Sequence, residues 1–424
     1  MKREAIGGVL GLGAVVVLVV GALAALAGGG EACWPQFHGA RRDNISDETG
    51  LLKRWPDGGP RAIWNYTDCG GGYAGMSIAK GRIFTSGDFG DRQMLIALDL
   101  GGKEVWKSPN GKSWKGPHPG ARTTPTYENG VLYHMNPHGR LAAYRADGGE
   151  EVWSVDLAGR FGARPGQWAL SENVILDGNA LLCAPGGARG RVVALEKATG
   201  KLIWANTDIS DGPAYCSAIV AAHNGVRQMI TIMQKSIVSV DVRTGKGLWR
   251  HGHETKHDQN VTMPIFIDGY VYATSGHGTG GRLLEIAPDS RSVTEVWLNK
   301  DMDNCHGGVL LLGGHFYGSG CRLFRKGLVC VEMKTGKTVW STRALGKVSL
   351  AWADGMLYCL DDRGRMSLVK AGPEGPKVVS QFDLPKPKAG GKLSLSHPVI
   401  CGGRLYVRHW NQLLAYDIAA SARD

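Results

Sequence analysis

One short run of residues returns again and again in this chain, each time closing on a tryptophan. It reads ALDLGGKEVW at 97–106, AYRADGGEEVW at 143–153, ALEKATGKLIW at 194–204, SVDVRTGKGLW at 239–249 and CVEMKTGKTVW at 330–340. A looser copy, LEIAPDSRSVTEVW, ends at Trp297. The closing residues Trp106, Trp153, Trp204, Trp249, Trp297 and Trp340 follow one another at intervals of 43 to 51 residues. Self-similarity at such a period marks a repeat architecture. Within one copy, 124–157, four apolar runs (PTYE, GVLYHM, RLAAYRA, EEVWSV) are separated by Asn-Gly, Pro-His-Gly and Asp-Gly-Gly. Such runs read as antiparallel strands joined by tight turns. A lone four-stranded sheet of this length cannot bury both faces. Sheets stacked around an axis can, and they leave only short edges. The tryptophan, large and rigid with one polar end, then wedges between neighbouring sheets.

Full sheets fall at 75–107, 123–157, 170–206, 216–251, 262–299, 307–342 and 347–384. Two fragments remain. The run RAIWNYT at 61–67 is a single tryptophan strand around Trp64, and 393–418 supplies three strands with no fourth. They complement each other, so the expected fold is all-β: an eight-bladed β-propeller of four-stranded antiparallel blades, its ring closed by the N-terminal strand. Closure removes free sheet edges. The seventh sheet has no tryptophan, and Val379 or Phe382 is expected in its place. The 63 glycines suit a turn-rich β chain.

The ends differ from the ring. In 1–32, Lys2 and Arg3 precede an apolar run over 5–27, the pattern of a signal peptide or membrane anchor. Positive residues stay cytoplasmic, so the remainder is expected outside the cytoplasmic membrane, in the periplasm or cell envelope, and membrane-tethered if the segment is uncleaved. Cys33 stands where a lipidated cysteine would, though 30–32 matches the preceding pattern poorly. Residues 33–60 read as an irregular lead-in packed over the propeller, 61–418 as the propeller and 419–424 as a tail. The nine cysteines include no adjacent pair and no Cys-x-x-Cys. An exported chain permits disulfides, but spacing does not pair them.

Loops that join the outer strand of one sheet to the inner strand of the next gather at one end of a propeller, and loops on a rigid scaffold often carry function. Here they are long and chemically varied. Tyr73, Arg122, Trp168, Tyr215, His257, Asn260 and His306 each lie shortly before an inner strand, and they are the candidate ligand contacts. Arginine would pair an anion, the aromatic rings would stack, and Asn and His would hydrogen-bond. His251, His253 and His257 are spaced as metal ligands could be, and Asp301, Asp303 and Asn304 offer oxygens, but neither loop enforces a geometry. No metal site is expected. The formal charge of +11 is spread along the chain and reads as a solvated basic rim. No aromatic platform with interleaved basic residues appears, so nucleic acid is not an expected partner.

The tryptophan-ended run resembles the pyrroloquinoline-quinone (PQQ) repeat of eight-bladed quinoprotein alcohol dehydrogenases, roughly A-x-D-x-x-T-G-K-x-x-W, over nearly all of 61–418. WPQFHG at 34–39 with ETGLLKRWPDGGP at 48–60 also resembles the opening of large exported PQQ-like propellers of planctomycete-type bacteria. Similar blades build the lipoprotein propeller of the outer-membrane assembly machine. In a dehydrogenase the resemblance implies a quinone held between a tryptophan and a disulfide of adjacent cysteines, with calcium on Glu, Asn and Asp oxygens and a catalytic Asp. This chain lacks the adjacent cysteines and any Cys-x-x-Cys-His. The leading expectation is therefore an exported non-catalytic module, with no cofactor, that binds a small molecule or peptide at the channel mouth or scaffolds envelope proteins, as a monomer or a complex subunit. The alternatives are a PQQ- and calcium-dependent oxidoreductase and a subunit of an envelope assembly complex. No catalytic residue is named.

Overall fold

The computed structural model describes residues 33–321, 326–387, 391 and 393–420. The signal or anchor expected over 1–32, and 421–424 of the tail, lie outside them. Strand pairing divides the described residues into eight sheets, six of them running in simple sequence order. The first blade is Ser77–Ala79, Arg82–Phe89, Arg92–Asp99 and Glu104–Lys112. The inner strands of the next six begin at Thr126, Ile175, Ile219, Ile265, Val309 and Val348. Their hairpins follow the expected turn chemistry: Asn129 and Gly130 both take positive φ, at 47° and 83°, as a two-residue turn between twisted strands requires.

The eighth blade joins the two ends of the chain. Its inner strands are Val399–Cys401, Arg404–His409 and Gln412–Asp417. Ala62–Tyr66 pairs antiparallel with the last of these, Trp64 opposite Ala415 and Tyr66 opposite Leu413. Apolar clusters lie between consecutive blades. Tyr133, Met135 and Leu141 of the second blade, for example, meet Leu181, Val193 and Leu195 of the third.

Each tryptophan directly follows a bulged residue in its outer strand, as Ile203 is skipped between the pairings of Ala194 with Trp204 and Leu195 with Leu202. Six of them donate the indole N–H to a carbonyl of the following blade: Trp64 to Leu100 (3.0 Å), Trp106 to Ala146 (3.1 Å), Trp153 to Lys197 (2.8 Å), Trp204 to Val242 (2.9 Å), Trp297 to Met333 (2.9 Å) and Trp340 to Gly372 (2.8 Å). The turn glycine lies flat on that ring. A Cβ on Gly245 would sit 2.4 Å from Trp204, and one on Gly200 2.7 Å from Trp153, while both residues take φ near 70°. Glycine is thus required twice over, for its conformation and for the close approach. The exception is Trp249, which donates instead to Gln228 Oε1 of its own blade at 2.9 Å. The blade after it carries the looser repeat, with no glycine in that turn.

In the seventh blade neither Val379 nor Phe382 takes the tryptophan's place. The bulge there pairs Leu368 with Ser380 and Val369 with Val378, so Ser380 holds the position. The missing aromatic volume comes from elsewhere. Trp55 of the lead-in donates its backbone N–H to Ser380 Oγ (3.0 Å) and packs its ring on Phe382, centroids 5.1 Å apart.

The lead-in does not simply lie over the ring. Trp34 bridges to Ile78 of the first blade, and Pro35 O accepts from Tyr127 N of the second. Arg42 donates to Asn173 O (3.1 Å) and Val174 O (3.2 Å) beside the third blade. Two residues on, Asn44 reaches Leu350 O of the seventh, and Ile45–Ser46 pairs in parallel with its inner strand, giving that sheet five strands. Blades three and seven are diametrically opposite in a ring of eight. Residues 42–44 therefore cross the central channel. A disulfide joins Cys33 to Cys401 of the eighth blade, so Cys33 is a crosslink in this structure.

Candidate functional site at the channel mouth

Hairpins between the two middle strands of each blade and loops between blades emerge at the same end of the ring. There they enclose a cavity of about 270 Å³. Tyr73, Arg122, Trp168, Tyr215 and His306 all line it, drawn from five different inter-blade loops. Its floor is the lead-in, which contributes Phe37 and His38. Beyond that floor lies a second cavity of about 310 Å³, lined by Arg41, Arg42 and Asp43 among others, and His38, Met263 and Gly308 face both. The lead-in is a partition across the channel.

The walls are aromatic. Trp168 N donates to Tyr215 Oη at 3.4 Å, and the two rings meet edge to face at 5.6 Å. Tyr73 packs edge-on against Trp410 at 5.4 Å, with the Arg122 guanidinium over its other side at 6.0 Å. Burial pushes the Tyr73 and Tyr215 hydroxyls up, so both stay protonated donors. Arg122 is largely committed to its own loop, donating to Gly120 O (2.6 Å), Pro117 O (3.1 Å) and His118 O (2.5 Å), and burial pulls its pKa down. It shapes the loop more than it offers an open charge. Lys347, which also lines the cavity, makes no ion pair among the described residues.

A histidine cluster completes the floor. His38 and His397 stand edge to face at 4.3 Å. His397 Nε2 meets His306 O at 3.1 Å, and its Nδ1 meets the Asn44 amide at 2.9 Å, the pattern of a neutral imidazole. Burial pulls His397 down to about 4, and desolvation, the Lys347 charge and His397 hold His306 below its ordinary value. The cavity's carboxylate is Asp362, whose pKa burial raises.

Two candidates stand apart. Asn260 is fully buried, donating to Met233 O (2.7 Å) and Gln234 O (3.1 Å) and accepting from Ser275 Oγ (2.7 Å), so every polar atom is consumed in holding its loop. His257 is exposed and touches Trp168 edge-on at 6.2 Å without lining the cavity. Nor do the three loop histidines converge: His251 faces Glu295 at 3.7 Å, His253 is buried on Ser275 Oγ at 2.9 Å, and His257 points elsewhere. Phe37 and His38 of the lead-in and Asp362 of a middle-strand hairpin lie outside the inter-blade loops, while Lys347 and His397 lie in the last two of those loops, which offered no candidate in the sequence. The aromatic and histidine of WPQFHG, in an otherwise polar lead-in, were the available signal.

The lining does not fit a calcium-bound quinone. Calcium takes six or more oxygens around one point. Among the described residues the cavity offers one carboxylate, and none of them in its wall is a cysteine. Of the cavity's two amides, Asn173 is spent on Thr124 N (2.6 Å) and Ser217 Oγ (3.0 Å), and Gln259 Oε1 is bonded to His277 Nε2.

A ring of eight sheets, six of them latched to the next by an outer-strand tryptophan, defines the PQQ-like class of propellers. Residues 91–342, more than half of the chain, match the family model described as outer membrane protein assembly factor BamB, and the chain belongs to that family. The outer membrane protein assembly factor BamB of Moranella endobia (strain PCIT) is 23% identical over 258 residues, 58% of this chain and 64% of that protein. A shorter match, 29% identical over 141 residues, is to the quinohemoprotein alcohol dehydrogenase ADH IIB of Pseudomonas putida, covering 31% of this chain and 20% of the enzyme. The chain spans less than two thirds of the length of the curated relatives it matches. Among solved structures, BamB from Moraxella catarrhalis superposes with a TM-score of 0.55 at 15% identity, covering 78% of this chain and 96% of that one. A europium-containing methanol dehydrogenase superposes at 0.66 and 14%, covering 89% of each. Likeness at this level shows the fold alone.

Proposed function

We propose that this chain is an exported, non-catalytic propeller of the bacterial envelope whose channel mouth binds a small organic anion with an aromatic or apolar body. The carrying observation is the convergence of Tyr73, Trp168, Tyr215 and Lys347 on one cavity of about 270 Å³, closed below by the lead-in and holding a single carboxylate. Aromatic walls with a few placed polar groups suit a small ligand, and the Lys347 ammonium, without an ion pair among the described residues, selects an anion. The basic start and apolar run of 1–32, together with relatives named for outer-membrane protein assembly, support placement outside the cytoplasmic membrane and a role beside other envelope proteins.

The test is native mass spectrometry of the full chain purified in mild detergent, followed by titration with small aromatic carboxylates. Wild type should retain or bind one molecule. Trp168→Ala and Lys347→Ala should each weaken binding at least tenfold with unchanged melting temperature. Unchanged affinity in both variants refutes the site. PQQ- and calcium-dependent oxidation of alcohols or sugars in a dye-linked assay refutes the non-catalytic reading.

A further inference from the structure

Beside the mouth, on the fifth and sixth blades, three soft donors meet that no sequence motif announces. His277 sits in the hairpin after Tyr270–Ser275 of the fifth blade. Cys305 lies in the loop leading to the sixth blade, and Cys321 follows that blade's strand His315–Ser319. One ligand atom from each lies within 4.8 Å of the other two. We propose that His277, Cys305 and Cys321 form a binding site for a thiophilic d¹⁰ cation, zinc(II) or copper(I).

The donor set points to that class. Two thiolates and an imidazole suit soft and borderline ions and are poor ligands for calcium and magnesium, which take oxygens. In a tetrahedral zinc site with Zn–S near 2.3 Å, ligand atoms stand roughly 3.5 to 4 Å apart. Closure from the present arrangement therefore needs side-chain rotation of about an ångström or less.

The surroundings are built for the approach. Gly276 leaves room that no other residue would: a Cβ there would lie 2.8 Å from Cys321 Cβ and 2.9 Å from its Sγ, and 3.3 Å from Cys305 Cβ. Asp303 ties the two hairpins together. Its backbone oxygen accepts from Cys321 N (2.8 Å), Oδ1 accepts from the same N–H (3.1 Å), and Oδ2 accepts from Gly278 N (3.2 Å). The His277 ring is oriented by a hydrogen bond between its Nε2 and Gln259 Oε1. With an oxygen as acceptor, the proton is on Nε2 and the basic nitrogen is Nδ1. Carbonyl or carboxylate partners of this kind commonly orient metal-binding imidazoles. Gln259 also lines the mouth cavity, so the site and the cavity share a wall.

The experiment uses the full chain, reduced and held anaerobic, titrated with zinc(II) against a chromophoric chelator and with copper(I) against a copper(I)-specific one. Cobalt(II) serves as the spectroscopic probe. Wild type should take up one equivalent, and cobalt should give a thiolate-to-metal charge-transfer band in the near ultraviolet. Cys321→Ser, at a half-buried position, and His277→Ala should each lower affinity at least 100-fold with an unchanged circular dichroism spectrum. His251→Ala, outside the cluster, should bind as wild type. The inference is overturned if reduced wild type binds none of the three ions below micromolar concentration, or if both variants retain affinity. A Cys305–Cys321 disulfide in protein taken from its native membranes overturns it as well.

Discussion

Arg408 carries the seam between the last blade and the first, and its replacement by methionine tests how the ring is held. The side chain is fully buried on the strand Arg404–His409. Nε donates to Trp410 O at 2.9 Å. Nη1 reaches Thr85 Oγ1 at 2.9 Å and also Ser86 O, and Nη2 reaches Cys69 O at 3.3 Å and Gly70 O at 3.1 Å. All but the first acceptor belong to the first blade or the segment entering it. Arg408→Met conserves much of the apolar stem but strands several buried carbonyls, each costing about 1–3 kcal/mol. The desolvation cost recovered with the charge offsets part of this, and removing one side of a buried polar network leaves a net loss of about 3–5 kcal/mol. Unfolding entropy of about 2.1 cal/mol/K per residue over the ring amounts to roughly 0.8 kcal/mol/K, so the melting temperature should fall by about 4–6 °C. Differential scanning calorimetry measures it directly. Hydrogen exchange should accelerate first at Cys69, Gly70 and Ser86. A variant melting within a degree of wild type would show that the seam does not depend on this arginine, and the reasoning fails.

Other expectations follow from the same geometry. Gly200→Ala should cost about 2 kcal/mol or more, because the added Cβ meets Trp153 at 2.7 Å. Gly225→Ala, with similar φ and open space around it, should cost only about 1 kcal/mol, as read by urea denaturation. Trp55→Ala should open the seam between blades seven and eight at a cost of about 3–5 kcal/mol, with protease sensitivity appearing in the lead-in. Burial pulls His134 and His397 down to about 4 and His253 to about 3. In the unfolded chain they titrate near 6.5, so their neutral native state is fully stabilising above that pH and loses ground as pH falls toward 4. The three together should give a slope near 4 kcal/mol per pH unit around pH 5, measured as proton uptake on unfolding. Alkylation of the denatured, unreduced protein should label seven cysteines and spare Cys33 and Cys401.

The ring was readable because its determinants are local and repeated. A tryptophan and a turn glycine recur in most copies, and the unpaired strand at 61–67 had one place to go. The mouth was readable in part for the same reason: position before an inner strand places Tyr73, Arg122, Trp168, Tyr215 and His306 around one axis. Side-chain direction was not readable. Asn260 has the same sequence context and turns into its own loop, where four polar partners hold it. The lead-in's path was hidden because it follows no repeat; its contacts join residues such as Arg42 and Asn173 that are 131 apart. Trp55 was hidden likewise, since it replaces a missing repeat residue from outside the repeat.

Ring closure between Ala62–Tyr66 and Gln412–Asp417 has a consequence for biogenesis. The strand Ala62–Tyr66 is synthesised about 350 residues before the strand it pairs with, and it has no partner until then. Until then the sheet array has an open edge on each side of the seam. Ring closure therefore waits on synthesis of Gln412–Asp417, and a product truncated a dozen residues short of Asp417 leaves Ala62–Tyr66 without its partner.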